Sequence, residues 1–392
     1  MSPHPVLTLR KGRLRRIVSG HPWVFSNELE EVPDLQPGCL VEIAFPDGKK
    51  AGIAIVNPST LIACRWLKRG EGPLPDRWLE DRLDRAASRR ESSFPGEDCL
   101  RLVHGEADAL PGLVVDRYGG ALSIQILTAG MERLRGRIGQ ALRDRMAPDA
   151  MAFQDDSPFR AMEGLPTTPP PEAERAPDTT RVSYQGLTLD VPLRKGQKTG
   201  LYLDQRENVH TFLDLLPPGT RVLDVFAYMG IWGMAALKAG AADAEFVEAS
   251  APACERIDRG LRDNRLGDRE IHNGDAFRVL RALRAAGKRF GAVVVDPPAF
   301  AKSRKHVKEA LKAYRHINEL ALALVEPGGI LVSCSCSHHI AREDLRLVLS
   351  EAAAKSRRAA ELVEVRGQAS DHPVLLHFPE GEYLKAFFLR LD

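Results

Sequence analysis

This 392-residue chain has no run of about 18 uncharged apolar residues, so no membrane-spanning helix is expected. Its opening residues, MSPHPVLTLRKGRLRR, are basic, but no apolar run follows them. That pattern sets a secretory signal aside and points to a cytoplasmic protein. Cysteine is sparse. Cys39, Cys64, Cys99, Cys254, Cys334 and Cys336 are scattered except for the last two, a C-x-C with no matching pair elsewhere. This spacing builds no zinc site, no metal is expected, and a cytoplasmic chain does not rely on structural disulfides. Charge of one sign is lacking too: 55 Lys and Arg against 53 Asp and Glu leave a net +2, which by itself says nothing of nucleic acid. There is no internal repeat.

Apolar residues are plentiful at 44%, with 28% charged, as in a globular chain able to bury sizeable cores. The length suits roughly two or three domains. Three segments separate by pattern. Residues 1–70 read as short strands (Leu40–Phe45, Ala51–Val56, Leu61–Trp66) joined by Gly, Pro and Asp turns, the pattern of a small β barrel. Residues 71–183 read as a small α+β domain. It has a helix over Asp76–Glu91 with Leu79 and Leu83 on one face, strands over Gly112–Arg117 and Ala121–Leu127, a helix over Met131–Met146 and a strand near Ala150–Gln154. Within it, the Pro-rich segment 163–178 reads as a mobile loop. From 184 to 392, apolar runs alternate with helical stretches. Arg221–Phe226, Ala244–Glu248, Ala292–Asp296 and Gly329–Ser333 read as buried parallel strands, predicting a doubly wound α/β sheet with its ligand at the strands' C-terminal ends.

Chemistry-bearing residues fall at those ends. Val222–Gly233 runs from a strand ending in an acid, Asp224, through Phe226 and Gly230 into a helix. It departs from G-x-G-x-x-G, which favours a nucleoside without a pyrophosphate over a dinucleotide, with glycines that let the backbone approach it. Glu248, Asp275 and Asp296 follow later strands. Glu248 is placed to accept ribose hydroxyls, and Asp275 to accept from an adenine amino group. Any one strand-end acid can equally be a helix N-cap, but four in register argue for a site. Asp296-Pro297-Pro298 fixes a stiff turn whose carboxylate and carbonyl suit the polar edge of a base. In Ser333–His339, Cys336 lies at the ligand end of its strand and Cys334 lies deeper. A Cys336 thiolate can attack C6 of a pyrimidine and activate C5 for methylation. Two basic clusters, Arg10, Lys11, Arg13, Arg15 and Arg16, and Lys302, Arg304, Lys305, His306 and Lys308, are solvated faces or phosphate contacts. Trp23 and Phe25 are candidates for the same surface, although Trp23 suits a core as readily.

These residues resemble a known group. The half from 184 onward is similar to class I S-adenosylmethionine methyltransferases with a Rossmann-like fold. The whole chain resembles the bacterial family of ribosomal RNA large-subunit 5-methylcytidine methyltransferases. The resemblance rests on Gly20-His21-Pro22-Trp23-Val24-Phe25, on Gly196–Arg206 (GQKTGLYLDQR), on the Asp224 motif and on Asp296-Pro297-Pro298. Ser335-Cys336-Ser337, Asp371-His372-Pro373 and Pro379–Lys385 complete it. It implies a PUA-like RNA-binding barrel, a small α+β domain, S-adenosyl-L-methionine as cofactor, 23S ribosomal RNA as partner and a homodimer. It further implies that Gln197, Thr199, Asp224, Phe226, Gly230, Glu248, Asp275 and Asp296 line the cofactor site. By the same implication Cys336 is the nucleophile and Asp296 bonds the cytosine edge. Glu248 replaces the more usual Asp, and the Met229–Trp232 turn is bulkier than the family's. Ala299 and Phe300 stand where many RNA cytosine-5 enzymes carry a second cysteine. Methylation of an exocyclic base amine and a non-catalytic RNA-binding assembly factor remain as alternatives.

Overall fold

The computed structural model describes residues 4–168, 176–194, 200–301 and 303–392. The chain forms two compact units. One is Met1–Val182 with Val191–Leu201 and Asp371–Gly381; the other is Ser183–Asp190 with Tyr202–Ser370 and Glu382–Asp392. Among the described residues no helix is long and apolar enough to cross a membrane.

In the first unit, β1 (Val6–Thr8), β2 (Trp23–Val24), β3 (Leu40–Ala44), β4 (Lys50–Val56) and β5 (Cys64–Arg69) pair in the order β1-β3-β4-β5-β2. They enclose Leu7, Leu9, Val41, Ile43, Ala54 and Val56, with the short helix α1 (Arg15–Val18) adding Ile17. The last strand of the expected set begins later than Leu61. Asn57 Oδ1 accepts the Ser59 N–H at 3.2 Å and the Thr60 hydroxyl donates to the Ile62 carbonyl at 2.8 Å. This side-chain-stabilised turn holds the chain out of the ladder and leaves Leu61 78% exposed.

A second sheet follows helix α2 (Trp78–Ser93): β6 (Cys99–His104), β7 (Leu113–Tyr118), β8 (Ala121–Ile126) and β9 (Ala150–Phe153) pair in that order. Leu79 and Leu83 of α2 are buried, as their spacing predicts. The helix expected from Met131 is two, α3 (Ala129–Arg133) and α4 (Arg135–Met146), meeting at Leu134. A short helix, α5 (Pro158–Met162), leads to Glu163. The near end of the Pro-rich segment is anchored rather than mobile: the buried Glu163 carboxylate pairs with Arg65 at 2.7 Å and accepts from Asn57 Nδ2 at 2.9 Å. Its residues 169–175 lie outside the described residues.

The Asp371 motif belongs to this first unit. The Arg101 N–H donates to Asp371 Oδ2 and Arg90 Nη2 to the Asp371 carbonyl, both at 3.1 Å. Those two arginines are themselves held by Asp108 and Asp116, at 2.6 and 2.7 Å. Buried pairs of this kind fix position more than they add net stability.

A two-stranded sheet, β10 (Thr179–Tyr184) and β11 (Leu187–Pro192), precedes the second unit's main elements. These are α6 (Arg206–Leu215), β12 (Arg221–Val225), α7 (Ile231–Lys238), β13 (Asp243–Glu248), α8 (Ala251–Asp263), β14 (Ile271–Asn273) and α9 (Ala276–Ala285). Then come β15 (Phe290–Val295), α10 (Val307–Leu322), β16 (Val325–Ser335), α11 (Arg342–Lys355), β17 (Ala360–Arg366) and β18 (Lys385–Leu391). The seven strands pair in the order β14-β13-β12-β15-β16-β18-β17. The β14-to-β16 ladders are parallel, as expected for apolar runs joined by helices. The sheet is not wholly parallel, however. Strand β18 inserts antiparallel between β16 and β17, which places Lys385 opposite Ser335. Strand order reverses between β12 and β15, the point where open α/β sheets bind ligands.

Helix α7 must approach β13 closely, because Phe246 of that strand is fully buried beneath it. A Cβ at Gly233 would overlap the Phe246 ring, and one at Gly230 would come within 3.1 Å of it. These glycines therefore serve helix–strand packing as well as the turn. In an open helix interior Gly→Ala gains up to about 1 kcal/mol. Here overpacking should win, and Gly233→Ala is expected to lose about 1–3 kcal/mol in denaturant unfolding. Adding Phe246→Leu should recover part of that loss, so the double variant falls short of the sum of the two single effects. A Gly233→Ala protein as stable as the parent would disprove the packing role.

Candidate active site

The site is built in the second unit at the ends of β12, β13, β15 and β16. After β12 the chain turns sharply, with Phe226, Tyr228 and Gly230 at φ values of 66°, 52° and 69°. Two of the three are not glycine, a strain that folds tolerate mainly at functional turns. The turn is held by its acids. Asp224 Oδ2 accepts the Gly233 N–H at 3.0 Å at the start of α7. Glu248 Oε2 accepts the Tyr228 N–H at 2.9 Å and its Oε1 accepts from Ser250 at 2.8 Å. Asp296 Oδ2 accepts from Gln205 Nε2 at 3.0 Å and from the Trp232 indole at 3.4 Å.

Asp224 is fully buried, and its Oδ1 has no partner among the described residues. Burial pushes its carboxyl up to about 8, opposed by the Gly233 hydrogen bond and reinforced by the charges of Asp296 and Glu248. Asp296 is oriented by a relay. Asn208 Nδ2 donates to Gln205 Oε1 at 2.6 Å, which turns the amide's N–H side toward the carboxylate. Phe300, two residues past the Pro-Pro turn, packs against Phe226 and Tyr314, with ring centroids at 6.2 and 4.7 Å.

The two neighbouring cysteines have different surroundings. Cys334 is fully buried in β16, and desolvation, with Asp296 next, drives its thiol well above the ordinary range. Cys336 lies just past the last residue of the strand, half-buried, with its Sγ 3.9 Å from the Pro297 carbonyl. Flanking hydroxyls brace it. Ser335 Oγ donates to the Tyr314 hydroxyl at 2.9 Å, which lies 3.0 Å from Ser337 Oγ. Lys385 Nζ donates to the carbonyls of Ser337 and Ile340 at 2.8 and 2.7 Å.

Asp224, Glu248, Asp296, Phe226, Gly230 and Cys336 thus gather in one unit. Asp275 is exposed and caps α9, accepting the Arg278 N–H at 3.0 Å. Gln197, Thr199 and Lys302 lie outside the described residues. Arg304 is exposed. In the first unit Lys11 and Arg13 are exposed, and Arg10 donates to the carbonyls of Leu29 and Glu30. Trp23 is no open stacking platform: its indole donates to Glu106 at 2.8 Å and its ring packs on Phe378 at 4.7 Å. Gln205, Trp232, Tyr314 and Lys385 were not among the expected site residues. Gln205 and Lys385 do lie inside the motifs that carried the family resemblance.

Residues 7–69 match the model of a PUA-like domain, and residues 173–386 that of an S-adenosylmethionine-dependent methyltransferase. The chain is 35% identical to the ribosomal RNA large subunit methyltransferase I of Shewanella denitrificans, covering 98% of this chain and 99% of that one. The protein of the same name from Cronobacter sakazakii is 33% identical, over 97% and 98%. Among solved structures, a Streptococcus mutans protein described as an S-adenosylmethionine-dependent methyltransferase superposes with a TM-score of 0.82 at 16% identity, covering 98% of this chain and 100% of that one. Another methyltransferase, solved with S-adenosylhomocysteine, superposes at 0.83 with 17% identity and the same coverage. At those identities the structures speak for the fold alone. The sequence relatives speak for more: the chain belongs to the ribosomal RNA large subunit methyltransferase I family, with a PUA-like domain ahead of an S-adenosylmethionine-dependent methyltransferase domain.

Proposed function

We propose that this protein methylates C5 of a cytidine in 23S ribosomal RNA, with Cys336 as the nucleophile. The observation that carries this reading is the contrast between the two cysteines. Cys334 is sealed in the sheet, while Cys336 stands beyond its end against the Asp296-Pro297 turn. The Cys336 thiolate adds to C6, and the ring electrons move to C5, which takes the methyl group. Loss of the C5 proton then expels the thiolate and restores the ring. Asp296, held by Gln205 and Trp232, bonds the cytosine edge while the adduct exists. The PUA-like barrel within residues 1–70 docks the RNA, with Arg10, Lys11, Arg13 and Arg304 as backbone contacts.

S-adenosyl-L-methionine, the cofactor of the family, supplies an electrophilic methyl group. The residues present suit it. Asp224 offers a buried oxygen with no partner among the described residues, open to a ligand's hydrogen bond, and Glu248 ends the neighbouring strand half-buried. Phe226 and Gly230 shape the turn between them.

Trapping tests the nucleophile. In 5-fluorocytidine RNA the C5 proton is replaced, so the adduct cannot collapse. The parent and Cys334→Ala proteins should give a denaturant-stable protein–RNA band with the cofactor, and Cys336→Ala none. If no variant is trapped while labelled methyl still reaches ordinary RNA, direct transfer to a base amine replaces this chemistry.

Asp224 gives a second test. Its folded carboxyl keeps a proton that the unfolded chain releases near pH 4, so the folded state binds more protons up to about pH 8. That contribution to stability is present at low pH and is lost as pH rises. Asp224→Asn removes the titration, so its melting temperature relative to the parent should climb from about pH 5 to about pH 8 in the cofactor-free protein. An unchanged difference would mean that Asp224 titrates as an ordinary acid. The same variant should bind the cofactor about tenfold more weakly, the loss of one hydrogen bond to a buried group.

A further inference from the structure

The Cys336 segment has an unusual neighbour in Lys385. This lysine is 4% exposed although it carries no carboxylate partner at hydrogen-bond distance in its two described contacts, both of which are main-chain carbonyls. Those carbonyls belong to Ser337 and Ile340, the residues that carry the chain away from Cys336. Antiparallel pairing of β18 with β16 sets Lys385 opposite Ser335, so its backbone is registered to the residue just before the cysteine. The side chain therefore spans the segment from one side of Cys336 to the other. A buried ammonium needs compensating negative charge or dipoles. Two aligned carbonyls supply part of this, and a thiolate beside them would supply the rest.

We propose that Lys385 is a positioning residue for Cys336, clamping the turn beyond the cysteine through two carbonyls and favouring its thiolate by charge. The inference rests on Cys336 being the nucleophile, and it gives that reading a cation that favours the ionised thiol.

Groups on every side of the pair bear on it. Burial lowers the Lys385 ammonium to about 8, the Cys336 charge opposes that most strongly, Glu382 and Asp344 also oppose it, and Arg342 reinforces it. Around Cys336 itself stand Tyr202, the Tyr314 hydroxyl and the sealed Cys334, all within electrostatic reach. Tyr202 and Cys334 also feel Asp296. Burial raises both tyrosines and Cys334, which keeps them neutral, while Lys385 is a cation held against the Cys336 turn. Lysine suits this place better than arginine, because a compact ammonium can serve two convergent carbonyls and still present its charge sideways.

The test needs no RNA. Full-length parent, Lys385→Gln and Lys385→Arg proteins are alkylated with iodoacetamide over a range of pH, and the Cys336 peptide is quantified by mass spectrometry. Lys385→Gln should move the midpoint for Cys336 upward by about one pH unit, the low end of what losing a neighbouring opposite charge does. Lys385→Arg should return it most of the way. Methyl transfer by Lys385→Gln should be slow at neutral pH and approach the parent as pH rises. An unchanged midpoint in a Lys385→Gln protein that still binds S-adenosylmethionine overturns the proposal. So does loss of cofactor binding in both variants, which would make Lys385 a folding residue only. Failure of the nucleophile reading shows up elsewhere, as methyl transfer that survives in Cys336→Ala.

Discussion

The catalytic unit depends on how one tight turn shares its N–H groups among three carboxylates. Across the turn after β12 and the first turn of α7, Gly233 serves Asp224, Tyr228 serves Glu248 and the Trp232 indole serves Asp296. Three strands are thereby tied to a single loop, and each acid is aimed by a donor that the same loop supplies. The turn can do this only by placing Phe226 and Tyr228 in the left-handed region, where side chains are disfavoured. The compensation is packing: Tyr228 meets Tyr202 and Phe226 meets Phe300, while the missing side chains of Gly230 and Gly233 let α7 settle on Phe246.

The three acids differ in how the unit holds them. Asp224 is fully buried, and that burial, reinforced by the charges of Asp296 and Glu248, holds its proton up to about 8. Asp296 receives two donors and Glu248 two backbone N–H groups. A buried acid with one oxygen unpartnered among the described residues is incompletely satisfied, so a ligand that hydrogen-bonds to it gains what those residues leave open.

How much of this was legible in the sequence follows from range. Strand-end acids were readable, because an apolar run ending in Asp or Glu is a local pattern, and the parallel core of the sheet followed from the same runs. Asp275, read by the same signal, lies two residues past β14, exposed and capping α9. The glycines of the Asp224 motif were read as room for a ligand, whereas their missing Cβ atoms face Phe246, which no local pattern reveals. Gln205 reaches Asp296 across 91 residues, Trp232 across 64, and Lys385 reaches Ser337 across 48. Nothing in spacing announces such partners. Lys385 in particular depends on β18 running antiparallel beside β16, a reversal that apolar runs do not encode.

The cysteine pair shows why a strand's last residue matters more than its alternation. By period two, Cys334 and Cys336 share a face, and sequence alone separates them only by depth. The ladder to β18 ends with Ser335 opposite Lys385, so Cys336 is released from the strand while Cys334 is held within it. The serines on either side of Cys336 are both spoken for, through the Tyr314 hydroxyl from α10. With its neighbours pinned on one flank by a phenol and on the other by the Lys385 ammonium, the thiol stands on a rigid support at the end of β16. The nucleophile we propose gains from such support, since attack on a ring carbon requires a held geometry rather than a mobile chain. The same bracing explains why a C-x-C with no metal-binding partner pair is placed here: one cysteine packs the sheet, and the next is presented by it.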